Sequence, residues 1–296
     1  MSANQTELAR RYCGRNFTAA EIDRIRWMIT SEPKPHRLQL SRMVCREFGW
    51  LRVDGGLKDM SCRVAMLRMD RDGLITLPPP QKKNGNGNTR PRLTSASDPG
   101  AAITLPAGKL GKLSFKQVTK GKGSLLWNEL IQRYHYLGHT PLPGAQMRYL
   151  VYGGSDLLAA LGFGAAAWKV APRDSFIGWS PEQREKNLHL IVNNARFLLL
   201  PWVTSRNLAS RILAGLARQL PHDWLTRYGY QPALLETFVE KNRFRGTCYK
   251  AANWIHAGQT QGRGKLDHTH QPLLPIKAIF LFPLHKHFRP ILCRSM

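Results

Sequence analysis

Apolar positions recur at helical spacing in the first eighty residues and give way, further along, to short apolar runs of strand length. Ile22, Ile25 and Ile29 share one face of a helix that starts at the capping-box sequence Thr18-Ala-Ala-Glu21 and stops before Pro33 and Pro35. Leu40-Ser41 opens a second helix carrying Met43, Val44 and Phe48, closed by Gly49. A third is predicted from about Asp59 to Asp72, with Met60, Val64 and Leu67 inward and Gly73 past its end. Leu74-Ile75-Thr76-Leu77 then reads as a short strand before three prolines.

Three short helices and a strand, with Gly55-Gly56 between the second and third helices, is the pattern of a winged helix-turn-helix over residues 1–80. The third helix would be the reader. Lys58, Ser61, Arg63 and Arg68 are its outward side chains suited to phosphates or guanine edges, and Arg42 and Arg46 on the second helix could brace the DNA backbone. The other reading of the same basic faces is a protein contact. Residues 81–123 change composition abruptly: Gly, Asn, Ser and Pro dominate the first half and lysines the second, which predicts a flexible basic linker.

From residue 124 to 296 helices and strands alternate. Leu125–Leu137 reads as a helix. Met147–Tyr152 and Leu157–Phe163 form a hairpin about Gly153-Gly154-Ser155-Asp156. Pro181–Asn194 reads as a helix, Arg196–Leu200 as a buried strand, Asn207–Leu220 as a helix, Ala233–Val239 as a strand and Thr247–His256 as a helix, followed by a solvated basic tail. The fold class is thus α+β or α/β: a winged helix-turn-helix joined by a basic linker to a domain built on a central mixed sheet.

Composition narrows the function. The 296 residues are 43% hydrophobic, enough for real cores, and the formal net charge is +25. A charge of that size and sign points to polyanions, so DNA is the expected partner. No apolar run approaches the roughly 18 to 20 residues of a spanning helix, and the N-terminus has no apolar core region, so a cytoplasmic protein without a membrane partner is expected. Cys13, Cys45, Cys62, Cys248 and Cys293 form no C-x-x-C pair and read as buried thiols. His268/His270 and His285/His287 are spaced i, i+2 but lack Cys or acidic partners, and read as part of the basic tail.

One carboxylate stands out. Glu236 sits within the apolar run Leu234–Val239, where a charge is costly unless paired or used. An ion pair with Arg243 or Arg245 is one reading. The other is catalysis or metal binding, with Asp174 and Asp267 completing a carboxylate set for Mg²⁺ and phosphodiester cleavage. His135 is the candidate general base, with His139 one turn on if the helix continues past Gly138. Trp168, Trp179, Trp202 and Trp254, interleaved with arginines, suit stacking on unpaired bases or core packing. Gly258–Gly264, with Arg263 and no acid, could wrap a phosphate.

The blocks RYHYLG (Arg133–Gly138), RFLLLPWV (Arg196–Val203), RNLAS (Arg206–Ser210), LLETFV (Leu234–Val239) and RFRGTCYKAANW (Arg243–Trp254), followed by GQTQGRG, resemble the Druantia anti-phage protein DruA family, formerly a domain of unknown function, over essentially the whole chain. The resemblance implies a DNA-directed role in phage defence or transposition, with other defence proteins as partners. The order of elements also resembles the GCN5-related acyltransferase (GNAT) fold, in which a glycine-containing turn before a helix takes the pyrophosphate of acyl-CoA. Here that turn is Thr204-Ser205-Arg206-Asn207-Leu208-Ala209 and has neither glycine, so no acyl-CoA is expected. Arg206 beside the helix start would suit a nucleic-acid phosphate instead, as would Arg243, Arg245 and Arg263.

The expectation that follows is a metal-dependent, transposase-like DNA-nicking or DNA-cleaving protein of a defence system or mobile element. A non-catalytic DNA-binding subunit of a defence complex is the alternative, and an acyl- or aminoacyl-transferase the second.

Overall fold

The computed structural model describes residues 9–81, 90–263 and 271–295. The chain divides into two compact units, Met1–Gly87 and Asn88–Met296.

The first unit opens with an antiparallel hairpin, β1 (Arg10–Tyr12) and β2 (Arg15–Phe17), and continues as α1 (Ala19–Thr30), α2 (Arg37–Glu47) and α3 (Asp59–Arg71). Both halves of the predicted capping box are present: Glu21 N–H donates to Thr18 Oγ1 at 3.2 Å and Thr18 N–H to Glu21 Oε2 at 3.1 Å. Arg15 also bonds Glu21 and is the main reason its carboxyl lies below the usual range. The inward face of α3 is not the one expected. Cys62, Ala65, Met66 and Met69 are buried at helical spacing, while Met60 and Val64 are exposed. Two of the four core positions are the small residues Cys62 and Ala65, which give a weaker apolar signal than the exposed Met60 and Val64 beside them.

The expected strand after α3 is absent. Among the described residues Leu74–Leu77 has no ladder partner, although Ile75 and Leu77 are buried and Leu77 N–H bonds Asp70 Oδ1 at 2.9 Å. The hairpin precedes the helices, so the winged form of helix-turn-helix does not follow from this arrangement.

The second unit contains β3 (Leu113–Gln117), α4 (Lys122–Tyr134), β4 (Met147–Gly153), β5 (Asp156–Ala165), α5 (Ala171–Ile177), α6 (Pro181–Asn187), β6 (Ile191–Leu199), α7 (Leu208–Tyr228), β7 (Leu234–Glu240), α8 (Thr247–Ala251), β8 (Ile255–Gln259), β9 (Lys277–Pro283) and α9 (Phe288–Leu292). Its strands form one mixed sheet in the order β3-β4-β5-β6-β7-β9-β8. Every neighbouring pair is antiparallel except β6 and β7. Alternation along the central strands sends Ile191, Leu234, Ile279 and Leu281 to a core shared with α5 and α9. Val192, Leu235 and Phe280 go to the larger core built with α4, α7 and α8.

Three expectations are revised. Residues 90–118, read as linker, carry two 3₁₀ turns and the edge strand β3, and Ile103 bridges Val203. The helices predicted over Pro181–Asn194 and Thr247–His256 each stop early and hand over to strands, because the β-branched starts Ile191-Val192 and Ile255 pair in the sheet. The basic tail contains β9, which lies between β7 and β8; its Ala278–Phe282 run was masked by the histidines and lysines around it. Among the described residues no helix is long and apolar enough to cross a membrane.

Candidate functional site

The parallel pair at the centre of the sheet comes apart. β6 and β7 are in register only at Ile191–Leu234, Val192–Leu235 and Asn193–Glu236. A register shift against β5 leaves Ala195 as an extra residue between Asn194 and Arg196, and β6 bends at that bulge. Beyond it β6 stays paired to β5 and β7 to β9, so their facing edges diverge with no ladder between them.

The opening is a cavity of about 940 Å³. Asn193–Leu199, Thr237–Val239 and the start of α7 at Ala209 line it, with Tyr134–Leu137 and Arg243–Tyr249. Clefts at the carboxyl ends of parallel strands are where open mixed sheets take ligands.

Its charge is one-sided. Arg196, Arg243, Arg245, Arg263 and Lys277 line the cavity, and among the described residues no aspartate or glutamate does. Arg196 is the unusual member. It is 9% exposed, Nη2 donates to Thr140 Oγ1 at 2.7 Å, Nη1 to the Ala195 carbonyl at 2.8 Å, and among the described residues Nε has no partner and no carboxylate pairs with it. Burial pushes its pKa down. A buried guanidinium without a counterion is costly unless an anion reaches it.

Four titratable groups of the cavity, His135, Tyr136, Cys248 and Tyr249, are neutral at neutral pH. His135, at the end of α4, is pushed down to about 4, chiefly by burial and then by the Arg196 charge. Its Nδ1 accepts the Leu137 N–H at 3.2 Å, which puts the ring proton on Nε2 and makes that nitrogen a donor. In this arrangement His135 presents a donor at Nε2 while Nδ1 is occupied by the Leu137 N–H. Burial raises Cys248, Tyr136 and Tyr249, so all three keep their protons at neutral pH. Tyr249 donates to Asn194 Oδ1 at 2.9 Å on the cavity floor.

The His135 shift has a measurable consequence. A depressed imidazole pKa means that the unfolded chain takes a proton before the folded chain does. Stability is therefore fully present above the ordinary value of 6.5 and is lost as pH falls from there towards about 4. Thermal melts between pH 7.5 and 4.5 should show a steeper acid decline in the wild type than in His135→Gln; parallel declines would contradict the assignment.

Glu236 lies elsewhere. It is fully buried on the opposite face of β7 from Thr237, its Oε1 accepting the Ala167 N–H and its Oε2 bonding Arg173 Nη1, both at 2.8 Å. Burial pushes its pKa up, while Arg173 and the Ala167 N–H oppose this. Asp174 does come close, but on the same guanidinium: Arg173 Nε and Nη2 reach Asp174 Oδ1 at 2.9 and 2.8 Å, and Arg184 approaches its other oxygen at 3.5 Å.

The two carboxylates thus converge on a cation, and the cation is an arginine. Arg173 also donates to the Ala167 carbonyl at 2.8 Å, so the cluster ties the segment after β5 to β7. The expected partners Arg243 and Arg245 are not involved, and Asp267 lies outside the described residues. Among the described residues no group of three His, Cys, Asp or Glu could hold a metal. The expectation of a Mg²⁺ site and metal-dependent DNA cleavage on Glu236, Asp174 and Asp267 is overturned.

The remaining expected residues separate into two groups. Arg42, Arg46, Lys58 and Arg68 are exposed on the first unit, Ser61 is half-buried, and Arg63 is half-buried and paired with Asp59. Arg243, Arg245 and Arg263 do converge on the cavity, whereas Arg206 is exposed just before α7. Arg196 was missed. The signal was in the chain, because the argument applied to Glu236, a charge within a buried strand, holds equally for the arginine of Arg196–Leu200.

The family description "Druantia protein DruA" matches residues 68–291. The chain belongs to the DruA family. No curated protein matches it. Among solved structures, the DruA-family chain is similar to the aminoglycoside acetyltransferase AAC(6')-Ib in complex with coenzyme A, at 13% identity and a TM-score of 0.40, covering 62% of this chain and 100% of that one. The ribosomal-protein-S18-alanine N-acetyltransferase from Escherichia coli matches at 11% identity and a TM-score of 0.37, covering 58% and 94%. An acetyltransferase from Bacillus subtilis in complex with CoA matches at 6% identity and a TM-score of 0.36, covering 59% and 100%.

The expectation of no acyl-CoA is corrected to this extent: two of the similar structures are described in complex with coenzyme A. Asn207 precedes α7 in the left-handed conformation, φ 63°, which asparagine tolerates, and α7 starts at the cavity wall.

Proposed function

We propose that Asn88–Met296 is an acyltransferase-type unit whose cleft takes an acyl group carried on an extended, anionic carrier of the acyl-coenzyme A class. DruA-family membership supports a role in phage defence. The observation that carries the reading is the separation of β6 from β7 after three pairs, over a cavity with five basic and no acidic side chains among the described residues.

Two diverging strand edges present unpaired backbone groups that an elongated, amide-bearing arm can bond as an added strand. The cationic lining suits the phosphates at the other end of such an arm. The residues present fit the group: Arg196 brings an unpartnered Nε to the cavity, and the start of α7 faces it with its positive dipole end. When bound, the carrier supplies an activated thioester carbonyl. His135 Nε2–H is a neutral hydrogen-bond donor beside the β6 edge, and Tyr249 holds a proton on the floor through neutral pH.

Titration calorimetry with acetyl-CoA and with CoA tests the reading. Saturable binding of both, weakened by salt because phosphates are engaged, is the expected result. Binding of neither ends it.

A further inference from the structure

We propose that the lip of this cleft is a stacking site for an unpaired base of a nucleic-acid strand, with Phe244 as its platform. This goes beyond the acyl-carrier reading and does not depend on it.

Four side chains build the lip. His135 and Tyr136 stack with centroids 4.9 Å apart and planes 29° apart, Tyr136 meets Phe244 at 5.3 Å, and the Arg243 guanidinium lies 5.3 Å from the Tyr136 centroid. His135 and Arg243 engage Tyr136, whereas Phe244 ends the series and is 49% exposed. Leu137, which also lines the cavity, is 44% exposed.

The platform is held rather than loose. Phe244 N–H donates to the Glu240 carbonyl at 2.9 Å, and Arg243 Nε donates to Glu240 Oε1 at 2.9 Å. The turn closes at Gly246, whose φ of 68° favours glycine and where a Cβ would stand 2.6 Å from the Phe280 ring. Phe244 belongs to none of the apolar cores and keeps half its surface open at a cationic cavity.

Rings interleaved with arginines, in a chain of net charge +25, are the means by which proteins hold single strands: cations track the phosphates, and a base covers the ring. A paired base already has both faces covered by its neighbours, so the site selects unpaired nucleotides.

The experiment measures fluorescence anisotropy of the full chain with a labelled DNA single strand, the same strand annealed, and an RNA strand, beside calorimetry with CoA. The wild type should prefer a single strand to duplex, the two strands showing which sugar is favoured. Phe244→Ala should weaken single-strand binding by about five- to a hundredfold with an unchanged salt slope, since stacking releases no counterions, and Phe244→Trp should retain it. Phe244 is half-exposed, so these variants keep the core intact.

Undiminished single-strand binding by Phe244→Ala overturns the proposal, as does an equal loss on duplex. A variant that weakens CoA but not the strand would assign the platform to the carrier's adenine instead, leaving the acyl-carrier reading in place. Strand binding that needs Phe244 in a protein that ignores CoA would sustain this proposal and end the other.

Discussion

Glu236→Gln is expected to lower the melting temperature of the Asn88–Met296 unit by roughly 6 to 20 °C, not to separate chemistry from binding. Removing one partner of a buried pair leaves the other charge uncompensated at a cost of about 3–5 kcal/mol, and in a unit of this size each kcal/mol moves the midpoint by about 2–4 °C. The amide cannot satisfy both neighbours. Whichever way it turns, its NH₂ faces either the Ala167 N–H or Arg173 Nη1, each a donor now 2.8 Å from an oxygen.

Asp174 still holds the other edge of Arg173, which favours the lower part of the range. Replacing both charges, as in Arg173→Met with Glu236→Leu, should recover part of the loss, because no fully buried ion is left behind and Asp174 keeps Arg184 at 3.5 Å. Thermal melts of the wild type and the two variants measure this. A Glu236→Gln protein that melts with the wild type would return the carboxylate to the list of functional candidates.

The fate of Glu236 shows how far the chain could be read unaided. Its alternation with Leu234 and Phe238 located it in a strand and its chemistry demanded a partner, and both are seen. What was illegible was the partner's position. Arg173 lies 63 residues away on a two-turn helix that the periodicity did not reveal, and only the sheet order brings the two together. Arg243 and Arg245 were nearer in sequence but belong to the cleft on the other face.

Elements with a strong local signal were readable: the Thr18 capping box, the Gly153-Gly154 hairpin and the body of α7. The cleft was not, because it is an absence of pairing. Nothing in Arg196–Leu200 or Leu234–Val239 says that two strands paired at their starts will part after Asn193 and Glu236. The bulge at Ala195 that turns β6 aside is a property of the ladder with β5, not of the residue. The β9 run was lost for a related reason, since flanking charge outweighed five apolar positions whose burial is decided by β7 and β8 on either side.

Arg196→Met is expected to act in the opposite sense to Glu236→Gln, and the contrast separates a structural charge from a functional one. Arg173 is matched by two carboxylates, whereas among the described residues Arg196 has a hydroxyl, a carbonyl and an unpartnered Nε. Replacing an unmatched buried cation with an apolar side chain of similar length removes a desolvation cost that nothing in the free protein offsets, so the variant should melt at or above the wild type. Its affinity for acetyl-CoA should fall by at least about thirtyfold, because truncating one side of a buried charge contact costs about 2 kcal/mol or more. Arg196→Lys keeps the charge but cannot reproduce the fork that reaches Thr140 and the Ala195 carbonyl together, and should fall between the two. Stability gained at a site where binding is lost marks a residue kept for its ligand. A variant that binds acetyl-CoA as the wild type does, or that melts well below it, would show instead that Arg196 serves the fold.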